Sequence, residues 1–96
     1  MLENKFQSDL IAELREMFPN ALIYKNESKQ GFPDLTILYN EHWALLECKK
    51  NKTAKHQPNQ DYYVDLANRM SFSRFIYPEN KQEVLNDLQQ AFGAKR

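Results

Sequence analysis

The sequence predicts an α/β fold, a central mixed sheet flanked by helices in the order helix, three strands, helix, strand, helix. Two observations carry that expectation. In three separate stretches apolar residues recur at three- and four-residue intervals, as along the buried stripe of a helix, and between them lie short β-prone runs bounded by polar residues. Elements ordered in this way close into layers around a core. With 96 residues, 42% of them apolar, and only 2 Gly and 4 Pro, the chain reads as one globular domain over residues 1–96.

The first helix is expected over residues 2–18, where Phe6, Leu10, Leu14 and Met17 form the stripe and Pro19 with Asn20 ends it. Residues 21–26 (ALIYKN) are short, β-prone and flanked by polar positions, and ESKQGFP reads as a turn. Residues 34–39 (DLTILY) and 42–49 (HWALLECK) make a hairpin around the two-residue connection Asn40-Glu41. Residues 50–57 lack periodicity and read as a loop. Pro58 suits the first turn of a helix that runs to Asn68 or Met70 on Tyr63, Leu66, Ala67 and Met70. A fourth strand follows over residues 73–77, stopped by Pro78. A last helix over residues 80–92 carries Val84, Leu85, Leu88, Ala91 and Phe92, with Gly93 as its terminator.

Composition narrows the function classes. The chain opens on charged and polar residues without an apolar leader segment, and no apolar run is long enough to span a bilayer, so a soluble, cytoplasmic protein is expected. The single cysteine, Cys48, cannot form an internal disulfide and excludes a Cys-based zinc site. Thirteen basic and thirteen acidic residues cancel, so no global field announces a polyanionic partner. The charge is nonetheless uneven: Lys49, Lys50, Lys52 and Lys55 lie close together with no acid among them, whereas residues 79–87 are mixed to acidic. A domain this small buries a modest share of its surface, which makes a homodimer that extends the core an expectation.

The chemistry concentrates around G-F-P-D and E-C-K. Gly31 allows a backbone conformation closed to other residues, and Pro33 fixes its own φ and biases Phe32 toward extended geometry, so that Asp34 is presented at the start of a strand. Near the end of the next strand, side-chain alternation puts Glu47 and Lys49 on one face and Cys48 on the other. Pairing through Asn40-Glu41 sets Asp34 nearly opposite Glu47. Two facing carboxylates repel unless a cation lies between them, and hard oxygen donors suit Mg²⁺, with Mn²⁺ as a substitute. Lys49, two residues along the same face, is then placed to act on an attacking water or on charge building at phosphorus.

G-F-P-D, a hydrophobic hairpin and E-C-K resemble the PD-(D/E)XK nuclease superfamily, and within it the stand-alone virus-type replication-repair nucleases (VRR-Nuc) and the Holliday-junction resolvases. The likeness covers nearly the whole chain. Gln60 matches the glutamine that opens the second helix in those families. The resemblance implies a restriction-endonuclease-like core; Asp34 and Glu47 as metal ligands with the Cys48 carbonyl as a further one; Lys49 as the catalytic lysine; and Gln60 as a supporting side chain. It also implies an acid from the first helix, for which Glu3, near the centre of the apolar stripe, is a better candidate for catalysis and metal binding than Glu13 at its edge.

The activity so implied is Mg²⁺- or Mn²⁺-dependent hydrolysis of DNA phosphodiesters by an endonuclease, selective for branched DNA in the manner of a resolvase and working as a homodimer; the small stand-alone form fits a phage protein. Lys29, Phe32, Lys50, Lys52 and Lys55 are the candidates for contacting the nucleic acid. Cleavage of linear or single-stranded DNA, and a non-catalytic nucleic-acid-binding module of the same fold, are the alternatives. His42 and His56 lie in no ligand-spaced pair and read as ordinary polar residues, and Trp43, Tyr62, Tyr63 and Tyr77 read as core aromatics.

Overall fold

The computed structural model describes residues 3–27 and 30–93. Its elements follow the expected order: α1 (Glu3–Met17), β1 (Leu22–Lys25), β2 (Leu35–Tyr39), β3 (His42–Cys48), α2 (Gln60–Met70), β4 (Ser73–Ile76) and α3 (Lys81–Ala91). The strands form one sheet in the order β1-β2-β3-β4, antiparallel except for the parallel β3–β4 pair. A parallel pair needs a crossover, and α2 supplies it.

Strand alternation sorts the side chains between two unequal layers. Leu35, Ile37, Ala44, Leu46, Cys48 and Ile76 turn to the face covered by α1 and α3, where they join Phe6, Leu10, Leu14, Val84, Leu85 and Leu88 in the hydrophobic core. Leu45 and Glu47 turn the other way, toward α2, whose buried residues are Gln60, Val64 and Ala67. Among the described residues no helix is long and apolar enough to cross a membrane.

Three local features differ from expectation. The α1 stripe ends on Phe18 and not on Met17: Phe18 is fully buried between the rings of Tyr39 and Phe92, at 5.1 and 5.2 Å, while Met17 packs at the rim. The second helix starts at Gln60, two residues after Pro58, because Asn59 adopts φ 73°, a left-handed conformation that a helix cannot contain. Gly31 accounts for the tight packing at that point. Its φ is +85°, and a Cβ there would lie 2.7 Å from both the Pro58 carbonyl oxygen and the Asn59 Cβ, so the G-F-P-D loop and the entry to α2 pack backbone against backbone. The third difference is that Tyr62 and Met70 of α2 are 60% and 66% exposed.

Phe18→Ala is expected to lower the unfolding free energy by about 3–5 kcal/mol, and Met17→Ala by much less, as read from chemical denaturation. Equal losses would remove Phe18 from its place at the centre of the aromatic cluster.

Candidate active site

The β2–β3 register pairs Leu35 with Leu46 and Thr36 with Leu45, so Asp34 and Glu47 follow one step beyond the last pair. The carboxylate of Asp34 is anchored there: the Cys48 N–H donates to its Oδ2 at 2.9 Å. The Asp34 backbone is held from the other side, where its carbonyl accepts from the Asn26 N–H at 2.7 Å. The Asn26 side-chain Nδ2 also donates to the Pro33 carbonyl and to Thr36 Oγ1, at 3.0 and 2.7 Å. The aspartate is thus fixed by both neighbouring strands.

Glu47 is only 3% exposed and Lys49 only 6%. Burying such groups is costly unless they are hydrogen-bonded, paired or ligating. Gln60 Nε2 donates to Glu47 Oε2 at 2.9 Å, while Gln60 Oε1 accepts from the Gln57 N–H at 2.7 Å. One side chain therefore ties the glutamate to the loop that precedes α2. Lys49 Nζ donates to the Lys55 carbonyl at 3.1 Å, a second tie to the same loop, and uses one of three donors in doing so. The loop is held a third time by His56, whose ring stacks on Phe75 at 4.1 Å and whose Nδ1 lies 2.8 Å from Asp61 Oδ1.

These groups open into a polar cleft of about 430 Å³ lined by Asp34, Glu47, Lys49, Lys50, Ala54, Lys55, Gln57 and Gln60. Its three lysines outnumber its two carboxylates, a balance suited to an anionic ligand. Asp34 also borders a second cleft of about 240 Å³, with Asn4, Gln7, Lys25, Asn26 and Glu27, and so stands on the ridge between the two.

No known family, curated protein or solved structure matches this chain.

Of the residues singled out from the sequence, Asp34, Glu47, Lys49, Lys50, Lys55 and Gln60 come together in one cleft. Others fall elsewhere. Lys52 is exposed in the turn beyond the cleft lining. Phe32 packs edge-on against Tyr63 at 5.6 Å and lines an apolar groove instead. Cys48 lies outside the cleft lining and offers its N–H to Asp34, while its side chain is buried in the core. Glu13 is engaged away from the cleft, in an ion pair with Lys81 at 2.9 Å. Lys29 and the Glu3 side chain lie outside the described residues.

The sequence reading missed the Lys55 carbonyl and the Gln57 N–H, since backbone groups carry no residue signature. It also missed the role of His56, whose only trace was the nearby Asp61.

Among the described residues, no group of three or more His, Cys, Asp or Glu side chains is placed to hold a metal ion. Asp34 and Glu47 share the cleft as a two-carboxylate set of hard oxygen donors. Such a set fits Mg²⁺ or Mn²⁺, which keep several waters and take one or two carboxylates from a protein.

Asp34→Asn retains an oxygen that can accept from the Cys48 N–H and removes a negative charge beside Glu47, so its stability should match or exceed that of the wild type. Asp34→Ala strands that donor and should cost about 1–3 kcal/mol in chemical denaturation. The reverse order would show that the carboxylate charge itself stabilises the fold.

Proposed function

We propose that this protein is a metal-dependent DNA endonuclease with a restriction-endonuclease-like core, hydrolysing phosphodiester bonds with selectivity for branched DNA. One observation supports the reading above the others: a nearly inaccessible glutamate and lysine lie on the wall of the same polar cleft as Asp34, at the end of a strand pair, where packing alone has no use for charge.

Asp34 and Glu47 would hold a divalent cation, which when bound would supply Lewis-acid activation of water and of the scissile phosphate. The protein's residues do the rest. Gln60 holds the Glu47 carboxylate in one orientation, and Asp34 is held by the Cys48 amide. The Lys49 ammonium, aimed by the Lys55 carbonyl, stabilises negative charge developing on the phosphoryl oxygens or on the attacking water. Lys50 and Lys55 at the cleft rim, with Lys52 nearby, neutralise the nucleic-acid backbone on either side of the reacting phosphate. The preference for branched DNA rests on the G-F-P-D…E-C-K resemblance.

Labelled four-way junction, flap, linear duplex and single strand, each incubated with Mg²⁺ or Mn²⁺, test the reading. Wild type should cut the junction. Asp34→Asn and Lys49→Ala should each lose about a hundredfold or more, and Gln60→Ala about 10–100-fold, as for groups that orient metal ligands. Cutting confined to linear or single strands would keep the nuclease and discard the branched substrate. Metal-dependent cutting unaffected by Asp34→Asn, or no cutting of any substrate, would overturn the proposal.

A further inference from the structure

The chain from Lys55 to Asn59 is exposed throughout and forms neither helix nor strand, so burial does not hold it in place. Two of its backbone groups nonetheless orient the buried side chains of the cleft. The Lys55 carbonyl accepts from Lys49 Nζ at 3.1 Å, and the Gln57 N–H donates at 2.7 Å to Gln60 Oε1, while the Nε2 of the same amide bonds Glu47 at 2.9 Å. A supporting group fixes a side chain only as well as it is itself fixed.

His56 sits between those two backbone groups, and its ring is anchored twice. It stacks on Phe75 with centroids 4.1 Å apart and planes inclined by 15°. Its Nδ1 lies 2.8 Å from Asp61 Oδ1. An ionised carboxylate only accepts, so Nδ1 carries the proton, and the bond forms with the ring neutral or charged. An exposed polar pair contributes little by itself. The stack adds a planar contact that sets the orientation of the ring, and the two together fix one peptide segment in both place and direction.

Each anchor neighbours a residue of the site. Phe75 is the register partner of Glu47 in the parallel β3–β4 pair, and Asp61 follows Gln60 in the first turn of α2. Neither His56 nor Phe75 belongs to the hydrophobic core, so the stack braces the loop and not the interior.

We infer that His56 is a positioning residue: held by Phe75 and Asp61, it fixes the loop so that the Lys55 carbonyl aims the Lys49 ammonium and the Gln57 amide holds Gln60 against Glu47. For the reaction it serves, this role rests on the nuclease reading of the cleft; the contacts themselves do not. His56 does not line the cleft, so its loss removes no group that meets a substrate there. What changes is the aim of Lys49 and Glu47, and a displacement of about 1 Å at a reacting group costs on the order of a hundredfold in rate.

Two measurements on the full chain test the role. In amide hydrogen exchange read by NMR, His56→Ala should speed exchange at Gln57 by about tenfold or more while the amides of β3 exchange as in the wild type. In cleavage of the four-way junction, the same variant should lose about 10–100-fold in kcat with KM within about threefold of the wild type. His56→Phe keeps a ring on Phe75 and gives up the bond to Asp61; Asp61→Ala gives up the same bond. Both should fall between His56→Ala and the wild type in each measurement. Unchanged exchange at Gln57 in His56→Ala, or faster exchange with kcat unaltered, would overturn the inference. A wild type that cuts no substrate would instead remove the nuclease reading, and the exchange result would still decide whether His56 fixes the loop.

Discussion

The hydrogen bond from the Cys48 N–H to the Asp34 carboxylate closes the open end of the β2–β3 hairpin, and the arrangement of the site depends on it. Regular pairing ends at Leu35 and Leu46, and beyond that point two chain ends would otherwise diverge. A side-chain acceptor continues the ladder for one more step and places a carboxylate beside Glu47, where a backbone carbonyl would have carried no charge. The same bond makes Asp34 part of the fold as well as part of the site. The glycine two residues before Phe32's neighbour Pro33 completes the arrangement, since only a residue without a Cβ brings this loop against Pro58 and Asn59.

The second half of the site hangs from the loop between β3 and α2. That loop has no regular structure, yet its carbonyl at Lys55 binds the buried Lys49 just past β3 and its amide at Gln57 binds the buried Gln60 of α2, while His56 is clamped between Phe75 and Asp61. Buried groups gain strength from such bonds because little water competes for them. The backbone of this loop at Lys55 and Gln57 is therefore tied to the wall that carries Glu47.

Much of this was legible in the sequence, for reasons that can be named. Helix and strand positions followed from periodicity because each element buries one face. The register followed from a two-residue turn, and Asp34 and Glu47 were placed on opposite strands by the same arithmetic. Less legible were features set by tertiary contacts. Asn59 departs from helical geometry where Gly31 packs against it, which moved the start of α2 past Pro58. Phe18 replaced Met17 because aromatic partners from β2 and the end of α3 meet there. Tyr62 and Phe32 looked like a core aromatic and a nucleic-acid contact; one is exposed and the other lines a groove, because α2 covers only half of its sheet face.

One face of the sheet thus carries two unlike surfaces, a charged cleft at the end of the strands and an apolar expanse beside it, divided by the loop that presents Asp34. For the cleft, we propose that Asp34 and Glu47 form a pair whose mutual repulsion a divalent cation would relieve. Titration calorimetry of Mn²⁺ into the wild type and into Asp34→Asn tests it without reference to any substrate. The account predicts saturable binding to the wild type, weakened by about tenfold or more in the variant; equal binding by both proteins, or none by either, would contradict it.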